Sequence, residues 1–234
     1  NSPQILELSR IGNPRVLKKA GISVIKELNG VGENLRDHIG VRLVYNVTKP
    51  NLSYNERARG VNLIKQAFLY VFKRDGFLAL PSAPVLGFLK TKPELSGPDI
   101  QVHFIPYRLV LKNGKRSLGR DPGLTCTINQ SRPESQGSVH IISPNPKDHP
   151  AIKFNFLSKS SDRECLVEGV KLIRKIMNSD ELKEYCEEEL KNCRNFSSDE
   201  DILQFIRENG ESIYHASGTC KMGNDKMAVV DNKL

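Results

Sequence analysis

Ten residues near the C-terminus, Tyr214-His215-Ala216-Ser217-Gly218-Thr219-Cys220-Lys221-Met222-Gly223, bring together an imidazole, hydroxyls, a thiol and two glycines. A histidine titrates near neutrality and can take the proton from a hydroxyl group. The small residues behind it let backbone approach a ligand or another element closely. A surface imidazole beside a glycine-rich turn fits the same ten residues, so by themselves they leave both readings open. Other residues that could do chemistry are sparser. Gly30-Val31-Gly32-Glu33-Asn34-Leu35-Arg36-Asp37-His38 begins like a dinucleotide fingerprint. Its third glycine position is Leu35, however, and no helical run follows. His103 lies in an alternating run between Val102 and Phe104, which suits either a hydrogen-bonded structural histidine or a pocket residue. The five cysteines form no Cys-x-x-Cys pair and the histidines show no zinc-site spacing, so no metal is expected.

The C-terminal decapeptide resembles the active-site motif of the glucose-methanol-choline (GMC) flavin oxidoreductases: Tyr-His, two residues, Gly-Thr-Cys, one residue, Met-Gly. Tyr214, His215, Gly218, Thr219, Cys220, Met222 and Gly223 fill every fixed position. Ser2-Pro3-Gln4 through Ser9-Arg10-Ile11-Gly12 is similar to the family's second signature, with Arg10 where the family usually has glycine. Gly30 to His38 matches its Gly-Val-Gly-x-Asn-Leu-x-Asp-His segment. Arg132-Pro133, Gly137-Ser138-Val139, Pro144, Pro146, Pro150 and Ile152 follow its substrate-domain pattern, and Met227 to Asp231 is again family-like.

The resemblance covers nearly the whole chain and implies an FAD-dependent oxidoreductase that acts on CH-OH groups. Hydride passes from the carbinol carbon to flavin while a base takes the hydroxyl proton. His215 would be that base. Tyr214 and His103 would line the substrate pocket, and Asn34, Gly218 and Thr219 would lie on the cofactor side, the last two shaping the turn that presents the imidazole. Asp37 and His38 would organise their loop by hydrogen bonds, and Cys220 would be packed rather than reactive. The substrate would be a small alcohol or sugar, with an electron acceptor the residues do not identify.

Two family features are missing from these residues: the Gly-x-Gly-x-x-Gly fingerprint that binds FAD pyrophosphate, and a His or Asn partner some dozens of residues beyond His215, which only 19 residues follow. The expectation is a C-terminal fragment that alone binds FAD weakly or not at all and is inactive. A non-catalytic stand-alone domain built on the same sheet is the alternative.

The elements that must position these residues point to an α+β fold, an antiparallel sheet covered by helices. Strands are expected near 41–47, 85–89, 100–105, 124–129, 138–143 and 151–156, with Ile22 to Leu28 alternating toward another. The spacing of Val61, Ile64, Phe68, Leu69 and Phe72 predicts a helix over 59–73 with its apolar stripe in the core. Asp162 is placed to cap a long helix to about residue 178, and helices are expected over 181–191 and 198–209. Residues 1–36 and 213–234 are expected to be remnants of an FAD-binding domain, with 37–212 the substrate-binding domain.

Composition bounds the rest. Of 234 residues, 38% are hydrophobic and 26% charged, as in a globular chain rather than a disordered one. No apolar run reaches the roughly 20 residues of a membrane span. The net charge of +8 is spread through helices and loops, and without tryptophan there is no stacking platform for nucleic acid. The basic surface reads as solvated, and the loop Lys112 to Arg116 as a mobile surface loop or a lid. Sequons at Asn46, Asn51, Asn129 and Asn195 lean toward secretion. Cys186 and Cys193 could form a disulfide only if a loop separates them.

Overall fold

The structure is a computed structural model, which describes residues 1–112, 115–190 and 198–234. In chain order its elements are α1 (Ser2–Leu8), β1 (Ile11–Gly12), α2 (Pro14–Lys19), β2 (Lys26–Glu27), β3 (Ile39–Val47), α3 (Tyr54–Arg57) and α4 (Gly60–Lys73). Then come β4 (Val85–Leu89), β5 (Ile100–Ile105), β6 (Leu109–Lys112), β7 (Lys115–Leu118), β8 (Gly123–Gln130), β9 (Ser138–His140) and β10 (Ala151–Lys153). The last are α5 (Ser160–Met177), α6 (Asp180–Lys183), β11 (Cys186–Glu189), α7 (Asp199–Asn209) and β12 (Glu211–Ser212). The chain divides into two compact units, 1–39 with 132–163 and 212–234, and 40–131 with 164–211.

The second unit is built on an antiparallel sheet in the order β11-β3-β8-β5-β4, with β12 also against β3. Side chains alternate across such a sheet. The cross-strand rows Val41–Ile128–Val102 and Leu43–Cys126–Phe104 therefore share one face. Arg42–Thr127–His103–Leu86 occupies the other. The first face is the core: Val41, Leu43, Ile100, Val102, Cys126 and Ile128 are fully buried, as are Leu166, Val170 and Ile173 of α5. Full burial contributes about 1.5–3 kcal/mol per large aliphatic side chain. Gly169 lets α5 come this close, since a Cβ there would sit 3.2 Å from Ile128 and 3.4 Å from Ile100.

Several expectations change. The apolar stripe of α4 is not core: no residue of that helix is buried, and Ile64, Phe68 and Phe72 are exposed. Periodicity identified the helix correctly but carries no information about which way its stripe faces. Strands β9 and β10 pair only with each other and do not join the main sheet. The sheet gains β11 instead, where a helix was expected over 181–191. Pairing of Cys186 with Val47 and Glu189 with Tyr45, with an ion pair from Arg174 to Glu189, overrides the local helical composition. The expected strand at 22–28 shrinks to Lys26–Glu27, which pairs in parallel with Ile11–Gly12.

Asp162 lies in the first turn of α5 but serves the chain before it, accepting the backbone N–H groups of Glu134 (2.9 Å) and Ser135 (2.7 Å). Residues 132–163 thus group with the chain ends rather than with 40–131. The tip of the basic loop (113–114), Cys193 and the Asn195 sequon lie outside the described residues. Asn129 is fully buried and has no room for a glycan.

In the first unit, Arg10 has φ +72°, the left-handed region, which is the physical reason glycine suits that position. Its guanidinium is held by the carbonyl and hydroxyl of Ser23. The carboxylate of Glu7, fully buried, faces Nδ1 of His140 at 2.7 Å and accepts the N–H of Ile141 at 2.8 Å. Nε2 of His140 lies 3.1 Å from Glu33. The hydrogen bond to Glu7 is the main reason the His140 pKa is raised, against the opposing effect of burial.

A histidine raised in the native state contributes stability that is fully present below its unfolded pKa, about 6.5. That contribution is lost as pH climbs through the native value. The urea midpoint is accordingly expected to fall as pH rises above about 6.5, and His140→Gln should flatten that dependence.

Candidate active site

The decapeptide and the Gly30–His38 segment lie side by side in the first unit, joined by backbone bonds at several points. Arg36 N–H donates to Ser217 O (2.9 Å), Ser217 N–H returns to Arg36 O (2.8 Å), and Gly32 N–H donates to Thr219 O (2.9 Å). Ile213 N–H donates to His38 O at 3.2 Å. Side chains complete the seam. Asn34 Nδ2 donates to Gly218 O (3.1 Å), and the Arg36 guanidinium reaches Pro133 O (2.7 Å). Asn34 has φ +58° and Gly218 φ +88°. A Cβ on Gly218 would sit 2.4 Å from Asn34 O, so this crossing admits glycine only.

Asp37 organises the end of the seam. The residue is 4% exposed. Oδ1 accepts the N–H of its neighbour His38 (2.8 Å) and that of His215 (2.9 Å), and Oδ2 accepts the Ser212 hydroxyl. Ser212 Oγ in turn accepts Tyr214 N–H at 3.0 Å. One buried carboxylate therefore fixes the backbone on both sides of Tyr214, which has φ +66°. Hydrogen bonds to a charged group contribute about 1.5–3 kcal/mol each.

The outcome is an exposed imidazole on a fixed backbone. Nδ1 of His215 lies 3.3 Å from Nδ1 of His38, the two rings edge-to-face with centroids 5.4 Å apart. Two neutral imidazoles can share that contact only if one donates and the other accepts. Tyr214 beside it is 85% exposed. Burial holds the Cys220 thiol above its ordinary pKa, so it is not a thiolate nucleophile.

Of the residues singled out in the sequence, the first unit brings together Asn34, Tyr214, His215, Gly218 and Thr219. His103 is on β5 of the second unit, cross-strand from Thr127 and Leu86. Ser212 and the Glu7–His140–Glu33 cluster gave no signal in the sequence, because nothing in their spacing announces a partner more than 100 residues away. Among the described residues no group of three or more His, Cys, Asp or Glu side chains could hold a metal ion, and no helix is long and apolar enough to cross a membrane.

The mixed fold, with its antiparallel sheet, and the intact His-containing motif define a flavoenzyme class. The chain matches the GMC oxidoreductase model over residues 133–234, and it belongs to the GMC oxidoreductase family. It is 35% identical over 232 residues to the oxygen-dependent choline dehydrogenase of Klebsiella pneumoniae (strain 342), covering 99% of this chain and 41% of that protein. It is 36% identical over 234 residues to the alcohol dehydrogenase [acceptor] of Pseudomonas putida, covering 99% and 42%. The fold is similar to that of Aspergillus oryzae formate oxidase, in a structure concerned with its FAD modification. That match has a TM-score of 0.82 at 23% identity, covering 94% of this chain and 42% of the other. The chain thus spans about two-fifths of the length of these relatives.

Replacing Gly218 with alanine should open the seam. Left-handed backbone and the clash with Asn34 together are expected to cost about 3 kcal/mol, read as a lower midpoint in denaturant unfolding. A Thr219→Ser change, which keeps the backbone bond, should be close to neutral.

Proposed function

We propose that this chain carries the base of an FAD-dependent oxidoreductase acting on small alcohols or sugars, and that His215 is that base. The observation that supports it most is the exposed His215 imidazole, whose backbone N–H is held by Asp37 within a motif that the family shares. FAD, when bound, supplies the acceptor for hydride. The residues of this chain do the rest.

His215 takes the hydroxyl proton as the carbinol C–H bond breaks. If Nδ1 of His215 donates to Nδ1 of His38, its Nε2 carries the lone pair a base requires. His38 is then a positioning residue that sets the tautomer. Asp37 holds the His215 backbone without touching substrate. Tyr214 shapes the pocket beside the imidazole, and His103 is assigned a substrate-binding role by the family resemblance alone.

The fit to flavin rests on the small, exposed Ala216 and Ser217 next to His215, which leave main chain open to a flat ring. Asn34, Gly218 and Thr219 would form the wall on that side. The relatives named for choline and alcohol dehydrogenation support a CH-OH donor. Full activity is assigned to a longer polypeptide that supplies the FAD fingerprint and the second His or Asn, with secretion as the proposed destination.

The test is anaerobic flavin reduction by the full-length polypeptide with a panel of choline, primary alcohols and sugars. His215→Ala should slow reduction by roughly 10²–10⁴-fold while leaving flavin content unchanged. His38→Phe should slow it less and move the acid limb of the pH profile, which a purely structural residue would not do. Reduction of the His215→Ala protein at the wild-type rate would remove the histidine from the chemistry.

A further inference from the structure

Both ring nitrogens of His140 meet carboxylates. Nδ1 lies 2.7 Å from Oε1 of Glu7 on α1, and Nε2 lies 3.1 Å from Oε1 of Glu33 in the Gly30–His38 segment. An ionised carboxylate only accepts, so each contact needs an N–H on the ring, and a neutral imidazole has one. The pair of contacts therefore belongs to the imidazolium, in keeping with the raised pKa of this residue. Other titratable groups stand nearby. Lys19 of α2 and Lys153 of β10, both exposed, line the groove that His140 also lines. The Cys220 thiol, near Glu7, is held neutral by burial.

The two arms of this contact are unequal. Glu7 is fully buried and also accepts the N–H of Ile141 at 2.8 Å, whereas the Glu33 side chain is 40% exposed. When the ring loses one proton, the other stays on Nδ1, because a buried carboxylate has no water to replace it. Nε2 then turns a lone pair toward Glu33, and an attraction becomes a repulsion. Glu33 lies in the seam that carries the decapeptide. Gly32 before it donates its N–H to Thr219 O (2.9 Å) and accepts that of Val139 (2.7 Å). Asn34 after it holds Gly218 O. The ring is packed directly on this backbone: Gly32 has φ +81°, and a Cβ there would lie 2.7 Å from Nδ1 of His140.

We infer that His140 is a positioning residue for the His215 site and acts as a proton-controlled clasp. As imidazolium it pins Glu33 and keeps the seam closed; as neutral imidazole it releases Glu33 and loosens the crossing of Gly32 with Thr219. The clasp is closed below the native pKa of His140, which lies above its ordinary value, and opens as pH rises through it. Its effect on the seam is independent of the oxidoreductase reading, and only its effect on turnover rests on His215 being the base.

Hydrogen exchange on the flavin-bound full-length polypeptide, corrected for the intrinsic pH dependence of exchange, reads the clasp without turnover. As pH is raised above about 6.5, protection at Gly32 should fall roughly tenfold or more relative to the β5 and β8 amides. Glu33→Gln keeps a partner for Nε2 in either state, since an amide both donates and accepts, so its protection at Gly32 should not follow pH. In turnover, kcat/KM of the wild type should fall over the same range and that of Glu33→Gln should not. Wild-type protection at Gly32 that ignores pH would overturn the clasp. So would a Glu33→Gln variant that keeps the wild-type pH dependence, or a loss shared equally by β5 and β8, which would assign the change to global stability. Normal flavin reduction by His215→Ala, with the pH-dependent exchange intact, would remove the base and leave the clasp standing.

Discussion

A single buried carboxylate, Asp37, holds together segments that lie 175 or more residues apart in the chain. It sits where the Gly30–His38 segment runs into β3, and it accepts three donors: the amides of His38 and His215 and the hydroxyl of Ser212. An ionised carboxylate out of water is tolerable only with such partners. The dependence runs both ways, since without it the loop around Tyr214 would have no reason to hold its left-handed backbone. The imidazole of His215 stands where it does because its own amide is tied down, which leaves the ring free to face solvent.

The division of labour in the first unit follows from this. Residues near Asp37 hold position by hydrogen bonds, and those farther along the seam hold it by close approach. Gly218 is required by the carbonyl of Asn34, and Asn34 in turn uses its amide on Gly218 rather than on solvent. A second buried carboxylate, Glu7, makes a parallel arrangement with His140 and the amide of Ile141, binding the first helix to the strand at 138–140. Two acidic groups thus work beside the small apolar cluster of Leu17, Ala20 and Ile141 in this unit. The second unit relies on alternation across its sheet and on a glycine that lets α5 settle on it.

What was legible in the sequence depended on distance along the chain. The strands at 85–89 and 100–105, and the helix capped by Ser198, are local patterns, and the structure has them. The motif around His215 and the Gly30–His38 segment were recognisable one by one, but their contact was not, because hydrogen bonds across more than 170 residues leave no period or spacing. Orientation was also invisible: the stripe on α4 reads the same whether it faces a core or is turned outward. The helix expected over 181–191 is a miss: only Asp180–Lys183 is helical, and pairing with Tyr45 and Val47 makes Cys186–Glu189 a strand. The family's usual glycine at the position of Arg10 has its physical reason only in the structure, where the backbone is left-handed.

The central claim is that Asp37 positions the imidazole. Amide hydrogen exchange on the flavin-bound polypeptide, read at His215, His38 and Ser217 in the wild-type and Asp37→Ala proteins, tests it most directly. The account predicts slow exchange at all three in the wild type and a loss of protection at His215 and His38 in the variant, with the β5 and β8 amides unchanged. Fast exchange at His215 in the wild-type protein, or protection there that survives removal of the carboxylate, would contradict it.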